Sequence, residues 1–467
     1  MKFLVQYILP IIGFFISFTL FASSNQAGYE WYFVIPLVFS IYILIDKEIY
    51  ERAFANVGFA IFFLTGCFRY LLTPFVACLS DYSVLFGMIP SPSEFREAVN
   101  LLIYEEISII IFFFFYLRKK FYNVKEYKHK NVLVDTIAKK SLLKFMCLLA
   151  LLTVIVFPQM FENIHFVGNL SSIDLAETIV INVPFAGLFT EILSLGRFFA
   201  VLLIMEYLYR KSKRNGSYKF AIFVSMGIIF LNASFVTNLS RFGIIVPIIS
   251  YTYLLMNLYK KQKELIVSTM FAAVISIVVI MSAIKFFSED RNSANYESND
   301  VTFWGETLQT YFMGVKETAV GIHAKAQIDM FYPDGKIFLF FNDVFSNVIG
   351  LGNFTYSPLN TVHIYNYVYF PRVKSVSQIP PNIINGMYYF GRWGAPIFTL
   401  FFIFMFSFLD FKARKTKNII YKFALLYGAL YSGLCMMING SMLCASLVND
   451  TLIILLYSKL NFLITKK

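Results

Sequence analysis

The sequence lacks the residue patterns from which most soluble enzymes build their sites. Its 467 residues include five cysteines and four histidines, with no C-x-x-C pair and no zinc-ligand spacing. It also contains no G-x-x-x-x-G-K-[ST], no G-x-G-x-x-G and no D-x-D. The cysteines lie mostly in apolar runs and are predicted to be packing residues. A soluble nucleotide-binding or zinc enzyme is therefore not expected, and no metal site is predicted.

Apolar residues are abundant instead. The chain is 58% hydrophobic, contains 55 Phe and 30 Tyr, and has a mean hydropathy of +0.66. A soluble domain of this size could not bury so much apolar surface, so we predict an all-α polytopic membrane protein. About twelve transmembrane helices are predicted, near residues 3–22, 31–45, 53–79, 98–117, 141–158, 191–209, 219–237, 242–259, 264–286, 382–408, 418–436 and 442–458.

Basic residues indicate how these helices are oriented. With the N-terminus inside, the cytoplasmic segments contain 26 of the 40 Lys and Arg residues. The short outer loops contain only Arg96 and Arg241. This asymmetry predicts that both termini are cytoplasmic. It also accounts for the net charge of +12 through contact with membrane lipid, so no nucleic acid partner is predicted.

One long segment divides the predicted helices. We predict three parts: residues 1–286 with helices 1–9 and short loops, a large extracytoplasmic loop at 287–381, and residues 382–467 with helices 10–12. The loop contains eighteen aromatic residues, whereas a disordered linker is poor in aromatics. It is therefore expected to fold and to pack on the membrane domain.

Several cations lie within the predicted spans rather than at their cytoplasmic ends. By the predicted orientation, five of them lie toward the outer leaflet, and Arg291 follows at the start of the large loop. Such a cluster is suited to a phosphate or pyrophosphate at the membrane surface, since arginine binds phosphate oxygens with two donors. Lys144 and Lys422, near cytoplasmic ends, are expected to snorkel. The five outer cations are Arg69, Arg197, Arg241, Lys285 and Arg392.

Three features resemble those of the Wzy-type oligosaccharide repeat-unit polymerases, which make O-antigen, capsule and enterobacterial common antigen. The first is a small-residue–Arg turn that opens a span, "NLSRFGIIV". The second is the large late loop. The third is the segment "SQIPPNIINGMYYFGRWGAPIF", with Gly386, Gly391 and Gly394 at glycine-type positions of the family. Arg197 and Lys285 also match cations common in such proteins.

The resemblance implies a metal-independent glycosyltransferase of the GT-C class, with no cofactor, in the bacterial cytoplasmic (inner) membrane. It would move a growing glycan from undecaprenyl pyrophosphate onto an incoming lipid-linked repeat unit. Its implied partners are that lipid-linked oligosaccharide and a Wzz-type chain-length regulator. Arg241 would face the donor pyrophosphate and offset the charge of the leaving group.

Deprotonation of the acceptor hydroxyl requires a general base. Glu317 and His323 are the first candidates, because apolar flanks can raise a carboxylate pKa or dock a helix on the membrane. They are six residues apart in an amphipathic pattern, so they are not predicted to form a dyad. Asp343 and His363 are further candidates.

Two other functions stay open. An O-antigen ligase would share the fold and the donor but use a lipid A-core acceptor. A lipid-linked oligosaccharide flippase would also have about twelve spans and a cationic interior. The long outer loop and the absence of an internal repeat favour the polymerase over the flippase, and a purely structural partner would not need buried cations.

Overall fold

The fold is given by a computed structural model. It describes all residues except 1, 24–25, 86, 123–139, 162–164, 167–185, 237–240, 271, 273–299, 334–335, 350, 352–358, 371–377 and 466–467. The first helices are α1 (Leu9–Ala22), α2 (Val34–Ile45), α3 (Ile49–Ala55), α4 (Val57–Cys67), α5 (Thr73–Leu79), α6 (Pro92–Phe112), α7 (Arg118–Phe121), α8 (Ser141–Val156), α9 (Ala186–Asn215), α10 (Tyr218–Ala233), α11 (Arg241–Leu258) and α12 (263–270). The others are α13 (Asp300–Tyr311), α14 (Val315–Phe331), α15 (Lys336–Ser346), α16 (Thr361–Tyr369), α17 (Asn382–Gly394), α18 (Pro396–Lys415), α19 (Ile419–Gly433), α20 (Gly440–Ala445) and α21 (Ile453–Thr465).

The described chain is almost entirely helical. Short π-helical segments occur at Leu4–Ile8, Phe68–Leu72, Phe113–Leu117 and Ser446–Leu452, and 3₁₀ turns at Pro158–Phe161 and Lys260–Gln262. Two strands of two residues each, β1 (His165–Phe166) and β2 (Phe235–Val236), pair antiparallel. The prediction of an all-α membrane protein is confirmed at this level.

Six of the described helices are long and apolar enough to cross a membrane. They cover Leu4–Ala22, Val57–Leu79, Pro92–Phe121, Ala186–Asn215, Pro396–Lys415 and Gly440–Asn461. Shorter apolar helices cover Val34–Ile45, Ser141–Val156, Tyr218–Ala233 and Gly243–Leu258. The predicted run 382–408 is divided between α17 and α18, and only α18 has the length and composition of a span. The sequence pattern missed this break because both sides of it are apolar.

The chain forms two compact units. Unit 1 contains residues 1–130, 296–411 and 429–447, and unit 2 contains 131–295, 412–428 and 448–467. Each unit therefore combines early and late parts of the chain. Helices α13–α16 of the predicted outer loop belong to the same unit as α1–α7.

In unit 1, the helices of the predicted loop pack on the early spans. Helix α13 contacts α5, whereas α14 contacts α6, α16 and α17. A different contact joins α18 to α4. Asp410 of α18 accepts from the backbone N–H groups of Gly58 and Phe59 at the start of α4, at 3.2 and 3.1 Å. A carboxylate at a helix N-terminus satisfies donors that have no partner within the helix. Buried polar contacts of this kind hold α18 against α4.

A proline shapes the long helix that runs from α4 to α5. Pro74 cannot donate the hydrogen bond that the carbonyl of Tyr70 would accept in a regular α-helix. The π-helical segment Phe68–Leu72 lies directly before it. Such insertions are frequent at functional sites, since they turn a side chain out of the regular helical register. Arg69 lies within this one and is buried.

In unit 2, α9 lies between α8 and α10, and α10 packs on α11. Tyr251 of α11 donates to the carbonyl of Phe198 at 3.3 Å and stacks on Phe423 of α19, with ring centroids 4.5 Å apart. Glu206 is fully buried on α9, where Lys140 and Arg210 reach its carboxylate at 2.8 and 2.7 Å. The buried charge of this acid is therefore compensated twice.

Candidate functional site

The most accessible group of candidate residues lies at the N-terminal end of α6. The helix begins with a capping box, in which the Ser91 hydroxyl accepts from the backbone N–H of Glu94. In return, the backbone N–H of Ser91 donates to Oε2 of Glu94 at 2.6 Å. The cap thus fixes one oxygen of Glu94 and leaves Oε1 for another partner.

That partner is His323. Its Nδ1 lies 2.7 Å from Oε1 of Glu94, and the side chain is 47% exposed, compared with 20% for Glu94. Helix α14 places His323 there because it packs along α6. A carboxylate bonded to one imidazole nitrogen orients the ring and leaves the second nitrogen for proton transfer. This pair has the arrangement of an accessible general base.

Arg392, a residue of α17, contacts α6 one turn after Glu94. Its Nη2 is 3.5 Å from Oε1 of Glu97, and the two side chains are 62% and 35% exposed. Residues three apart on a helix are neighbours on its surface, so Glu94 and Glu97 hold their partners side by side. The structure therefore brings together two sequence candidates, His323 and Arg392.

Two glycines shape the helix that carries Arg392. Gly391 has φ 77° and ψ 178°, a conformation that is essentially restricted to glycine, and α17 kinks there. A Cβ on Gly386 would lie 2.0 Å from the carbonyl oxygen of Ala395, so the turn after the kink packs directly on its backbone. The Tyr104 hydroxyl of α6 donates to the Trp393 carbonyl at 2.8 Å and ties this turn to α6.

Glu317 occupies a different environment from His323. It is 1% exposed, and its two carboxylate oxygens accept from Tyr365 at 2.6 Å and from Thr310 and Tyr369, each at 3.1 Å. The neighbouring Lys316 is fully buried, donates to the Tyr369 hydroxyl at 2.7 Å and pairs with Glu306. These contacts join α13, α14 and α16 in a polar core. A carboxylate held in this way serves packing and offers no open position for a substrate hydroxyl.

Asp343 and His363 also differ in their surroundings. Asp343 is 3% exposed and accepts from the Thr361 backbone N–H at 2.8 Å, from the Thr361 hydroxyl and from Tyr389. Burial raises the pKa of Asp343 to about 6, although these donors oppose the shift. His363 is exposed at the start of α16, and its Nδ1 lies 2.6 Å from the capping residue Asn360. No acid orients His363 in the described contacts.

Arg69 lies much deeper than the residues at the end of α6. It is 3% exposed, and its Nη2 lies 2.9 Å from Oε2 of Glu105. Glu105 follows Glu94 by eleven residues and Glu97 by eight, which places it about 16 and 12 Å further along the helix axis. Of the cations predicted to lie toward the outer leaflet, Arg69 and Arg392 therefore pair with α6 at different depths.

In unit 2, Arg197 binds backbone. Its Nη2 donates to the carbonyls of Asn232 and Phe235 at 2.6 and 2.7 Å, where α10 ends and β2 begins. A cation at this position offsets the negative end of α10 and ties it to the first residue of β2. Arg241 is the first residue of α11. Nothing is described of its side chain, and Lys285 and Arg291 lie outside the described residues.

The two lysines expected to snorkel behave differently. Lys144 is exposed on α8. Lys422 is only 5% exposed, and its Nζ donates to Asn257 of α11 at 3.3 Å. The snorkelling prediction is therefore wrong for Lys422, because α19 turns this side chain toward its neighbours in unit 2.

Four acids on α6 pair with or lie beside candidate residues but were not predicted from the sequence. The segment "SPSE" carried a signal for the first of them, since Ser–x–x–Glu after a proline-containing loop is a capping box. The adjacent pair in "YEEIS" was also visible as two acids inside an apolar run, and such residues indicate function or pairing. The missed acids are Glu94, Glu97, Glu105 and Glu106.

Comparisons of the chain with models of protein families, with curated proteins and with solved structures find no match.

Proposed function

We propose that the chain is a glycosyltransferase that polymerises lipid-linked oligosaccharides at the outer face of the cytoplasmic membrane. In this proposal it has about twelve spans, a GT-C-like helical arrangement and cytoplasmic termini in the bacterial cytoplasmic membrane. Its donor is a glycan on undecaprenyl pyrophosphate, and its acceptor is an incoming lipid-linked repeat unit. One support is the resemblance of "NLSRFGIIV" and of the glycine-rich α17 segment to Wzy-type polymerases. Another is the predicted orientation of the helices.

The observation that carries the proposal is the pair formed by His323 and Glu94. It lies at the end of α6 that the positive-inside pattern assigns to the outer face, where a lipid-linked sugar presents its reacting carbon. The pair is accessible and is held by a capping box, so its geometry is set before a substrate binds. Arg392 lies beside it and offers a cation for phosphate.

His323 is the general base in this mechanism. Its Nδ1 is engaged by Glu94, so Nε2 accepts the proton of the acceptor hydroxyl. The acceptor oxygen forms a bond to the anomeric carbon of the donor, and the bond from that carbon to the pyrophosphate oxygen breaks. The lipid pyrophosphate leaves with the electron pair, and cations stabilise its charge. Arg392, beside the pair, is one proposed cation. Arg241, Arg197, Lys285 and Arg291 stay candidates from the sequence.

Glu317 has a structural role in this proposal. Three hydroxyl groups donate to its carboxylate, and each of them is anchored in a helix of the same core. A substrate hydroxyl could reach it only if this core opened. The geometry therefore favours His323 over Glu317 as the base.

A flippase is the second candidate, and one observation favours it. Arg69, Glu105 and Glu106 place three ionisable groups deep in a membrane-spanning part of unit 1, and transporters use such groups along their pathways. The proposed polymerase has no described chemical use for them. An O-antigen ligase differs from the polymerase only in its acceptor.

A detergent assay separates the three functions. Purified protein is mixed with lipid-pyrophosphate repeat units, with or without lipid A-core, and the products are sized. A polymerase forms a ladder from repeat units alone, a ligase forms product only with lipid A-core, and a flippase forms none. We expect a ladder from repeat units alone, and we expect it to persist in EDTA. The described residues contain no group of three or more potential metal ligands, but metal independence stays a prediction.

Arg241 gives a second test of the proposal. If its guanidinium binds pyrophosphate with two donors, Arg241→Lys keeps the charge but loses the paired geometry, and Arg241→Ala loses both. We expect Arg241→Ala to leave single-repeat products and Arg241→Lys to be strongly impaired, at normal protein levels. The measurement is the polysaccharide ladder in a complemented deletion strain.

Lys144→Ala is the matched control for the Arg241 variants, since Lys144 is exposed near a predicted cytoplasmic end. Lys422 is unsuitable, because it is buried. A full-length ladder from well-expressed Arg241→Ala would remove Arg241 from the proposed site.

A further inference from the structure

Helix α6 carries two adjacent acids deep in its apolar part, Glu105 and Glu106. Both are almost completely buried, at 0% and 2% exposure, and Arg69 is the cation beside them. If all three were ionised, the cluster would hold one uncompensated negative charge. A net charge is costly inside a membrane, so this balance is unfavourable.

The two acids are not equivalent. Oε1 of Glu105 accepts from the Thr399 hydroxyl at 2.6 Å, and Oε2 lies 2.9 Å from Nη2 of Arg69. Neither oxygen of Glu106 has a hydrogen-bond partner in the described part of the chain. Glu105 is thus the counter-ion of Arg69, and Glu106 is left without one.

Glu106 borders a small cavity. The cavity has a volume of about 20 Å³, which is enough for one water molecule, and its other lining residues are aromatic, aliphatic or glycine. A metal ion would require several oxygen ligands, whereas a proton requires one base. The other titratable groups on the neighbouring elements are Tyr42, Arg69, Tyr70, Glu105 and Cys435.

We propose that Glu106 is a proton-binding site within the membrane. The proton neutralises the cluster, and water in the cavity gives the carboxyl group a hydrogen-bond partner. This inference does not depend on the proposed glycosyltransferase, since it follows from the charges and contacts of unit 1. It assigns a role to a buried acid that the transfer mechanism does not use.

An apolar carbodiimide tests the proposal, because it reacts with protonated carboxyl groups in apolar surroundings. Wild-type protein in lipid nanodiscs is treated with dicyclohexylcarbodiimide, and the adducts are located by peptide mass spectrometry. Glu206 is a matched control, since it is equally buried on a spanning helix but paired with two cations. We expect about tenfold more adduct on Glu106 than on Glu206, because two cations pair with Glu206 whereas Arg69 is already paired with Glu105.

A variant extends the test. Glu105→Gln removes the counter-ion of Arg69, so Arg69 should then pair with Glu106 and suppress its labelling. The wild-type comparison stands even if this variant does not fold. Equal labelling of Glu106 and Glu206, or labelling of Glu206 alone, would overturn the proposal.

A separate observation concerns α15, which buries two polar side chains together with Leu339 and exposes several large apolar ones. Asn342 and Asp343 are buried at 2% and 3% exposure, whereas Ile337, Phe338 and Phe341 are exposed at 63%, 58% and 43%. In water such a helix would turn its phenylalanines inward, because burial of apolar side chains is favourable. A face of this kind needs an apolar cover.

The contacts of α15 show where it lies. The hydroxyl of Ser441 donates to the Asp343 carbonyl, and Asn347 donates to that hydroxyl at 2.7 Å. Ser441 is the second residue of the candidate span Gly440–Asn461. The Phe340 ring is 6.2 Å from that of Phe398 in the span Pro396–Lys415. Helix α15 is therefore held at the ends of two spans, by its polar face.

The elements that contact α15 also expose large apolar residues. On α18, Ile397 and Phe401 are exposed at 53% and 43%, and on α17 Phe390, whose ring is 6.1 Å from Phe340, is exposed at 44%. On a spanning helix, an exposed apolar side chain faces lipid. We infer that the outer face of α15 is covered by lipid acyl chains, so that α15 lies at the membrane interface as an amphipathic helix.

Site-directed spin labelling tests this placement without any activity measurement. Cysteine replaces Phe338 in one variant and Lys336 in another, in a background where the five native cysteines are substituted. Lys336 is the control, because it is exposed at the polar start of the same helix. Collisions with oxygen, which partitions into lipid, are compared with collisions with a water-soluble nickel chelate.

We expect the label at 338 to collide markedly more with oxygen than with the chelate, relative to the label at 336, because oxygen enters the acyl chains and the chelate stays in water. A label at 338 that is open to the chelate would show a water-facing helix. A label shielded from both reagents would show a second protein surface on α15. Either result would overturn the inference.

Discussion

The two ends of the charged stretch on α6 use the same residue types for different purposes. At the helix start, Glu94 and Glu97 pair with His323 and Arg392, and all four side chains keep at least a fifth of their surface in solvent. Deeper in the helix, Glu105 pairs with Arg69 where both are essentially inaccessible. Exposed pairs are screened and contribute little stability, so their residues are free for chemistry. A buried pair cannot lose one member without leaving a charge unpaired.

The first prediction addresses the exposed end. His323→Ala removes the proposed base and should lower polymerisation by about 10²–10⁴-fold, the usual contribution of general base catalysis. Its thermal stability should change little, because the side chain is half exposed. Initial rates of glycan extension in detergent provide the measurement.

His363→Ala is the control for this prediction, since His363 is also exposed but contacts only its capping residue Asn360 in the described contacts. Its rate should stay near that of the wild type. If His323→Ala extended glycans as fast as His363→Ala, the proposed base would be refuted.

The second prediction addresses the buried end. Arg69→Ala leaves Glu105 without its cation and should destabilise the protein by about 3–5 kcal/mol. The double variant Arg69→Ala/Glu105→Gln should recover part of this loss, because no unpaired charge remains. Unfolding followed in nanodiscs measures both. Loss of equal size in the single and double variants would mean that Glu105 without its cation carries no penalty, which would contradict the prediction.

The third prediction concerns Asp343, a buried acid outside the spans that has no cation as its partner in the described contacts, and the dependence of stability on its charge. The folded protein raises the pKa of Asp343 to about 6, compared with about 4 in an unfolded chain. The folded state therefore holds this proton more tightly, so the stabilisation is complete at low pH and is lost as the pH rises through about 6. The loss should be on the order of 3 kcal/mol, since each pKa unit corresponds to about 1.4 kcal/mol.

Asp343→Asn should remove this pH dependence between about pH 4 and 7, as measured by thermal unfolding. Asp329→Asn is the control, because Asp329 of α14 is 45% exposed and pairs with Lys325, which lies one turn earlier in α14. An unchanged pH profile for Asp343→Asn would show that its donors outweigh burial.

The smallest effect is expected for Arg392. Its contact with Glu97 is long and exposed, so Arg392→Ala should change stability by less than about 1 kcal/mol. Replacement of Gly391 by Ala should cost more, since a φ of 77° strains a residue with a Cβ. Thermal unfolding compares the two variants. If Arg392→Ala were more destabilising than Gly391→Ala, the contact between Arg392 and Glu97 would contribute substantially to stability, contrary to this prediction.

The sequence predicted several local features correctly for physical reasons. Apolar runs such as 3–22 and 191–209 became long helices, because backbone groups in lipid must bond within their own segment. The glycines near Arg392 were recognised as special, and the structure gives each of two a steric reason. The break between α17 and α18 was missed, since a kink within apolar sequence leaves the hydropathy unchanged.

The candidate site shows the same division. Composition and periodicity selected His323, Arg69 and Arg392 as chemically important residue types, because charged groups are costly in an apolar chain. Sequence alone could not show that Glu94 orients His323, that Glu105 occupies Arg69, or that Glu317 is enclosed by three hydroxyl groups. The first contact joins residues 229 positions apart, the second joins residues 36 apart, and the contacts of Glu317 reach up to 52 positions along the chain. Burial and partnership over such separations depend on helix packing, so only the tertiary structure decides which charged residue is open to a substrate and which is closed within the core.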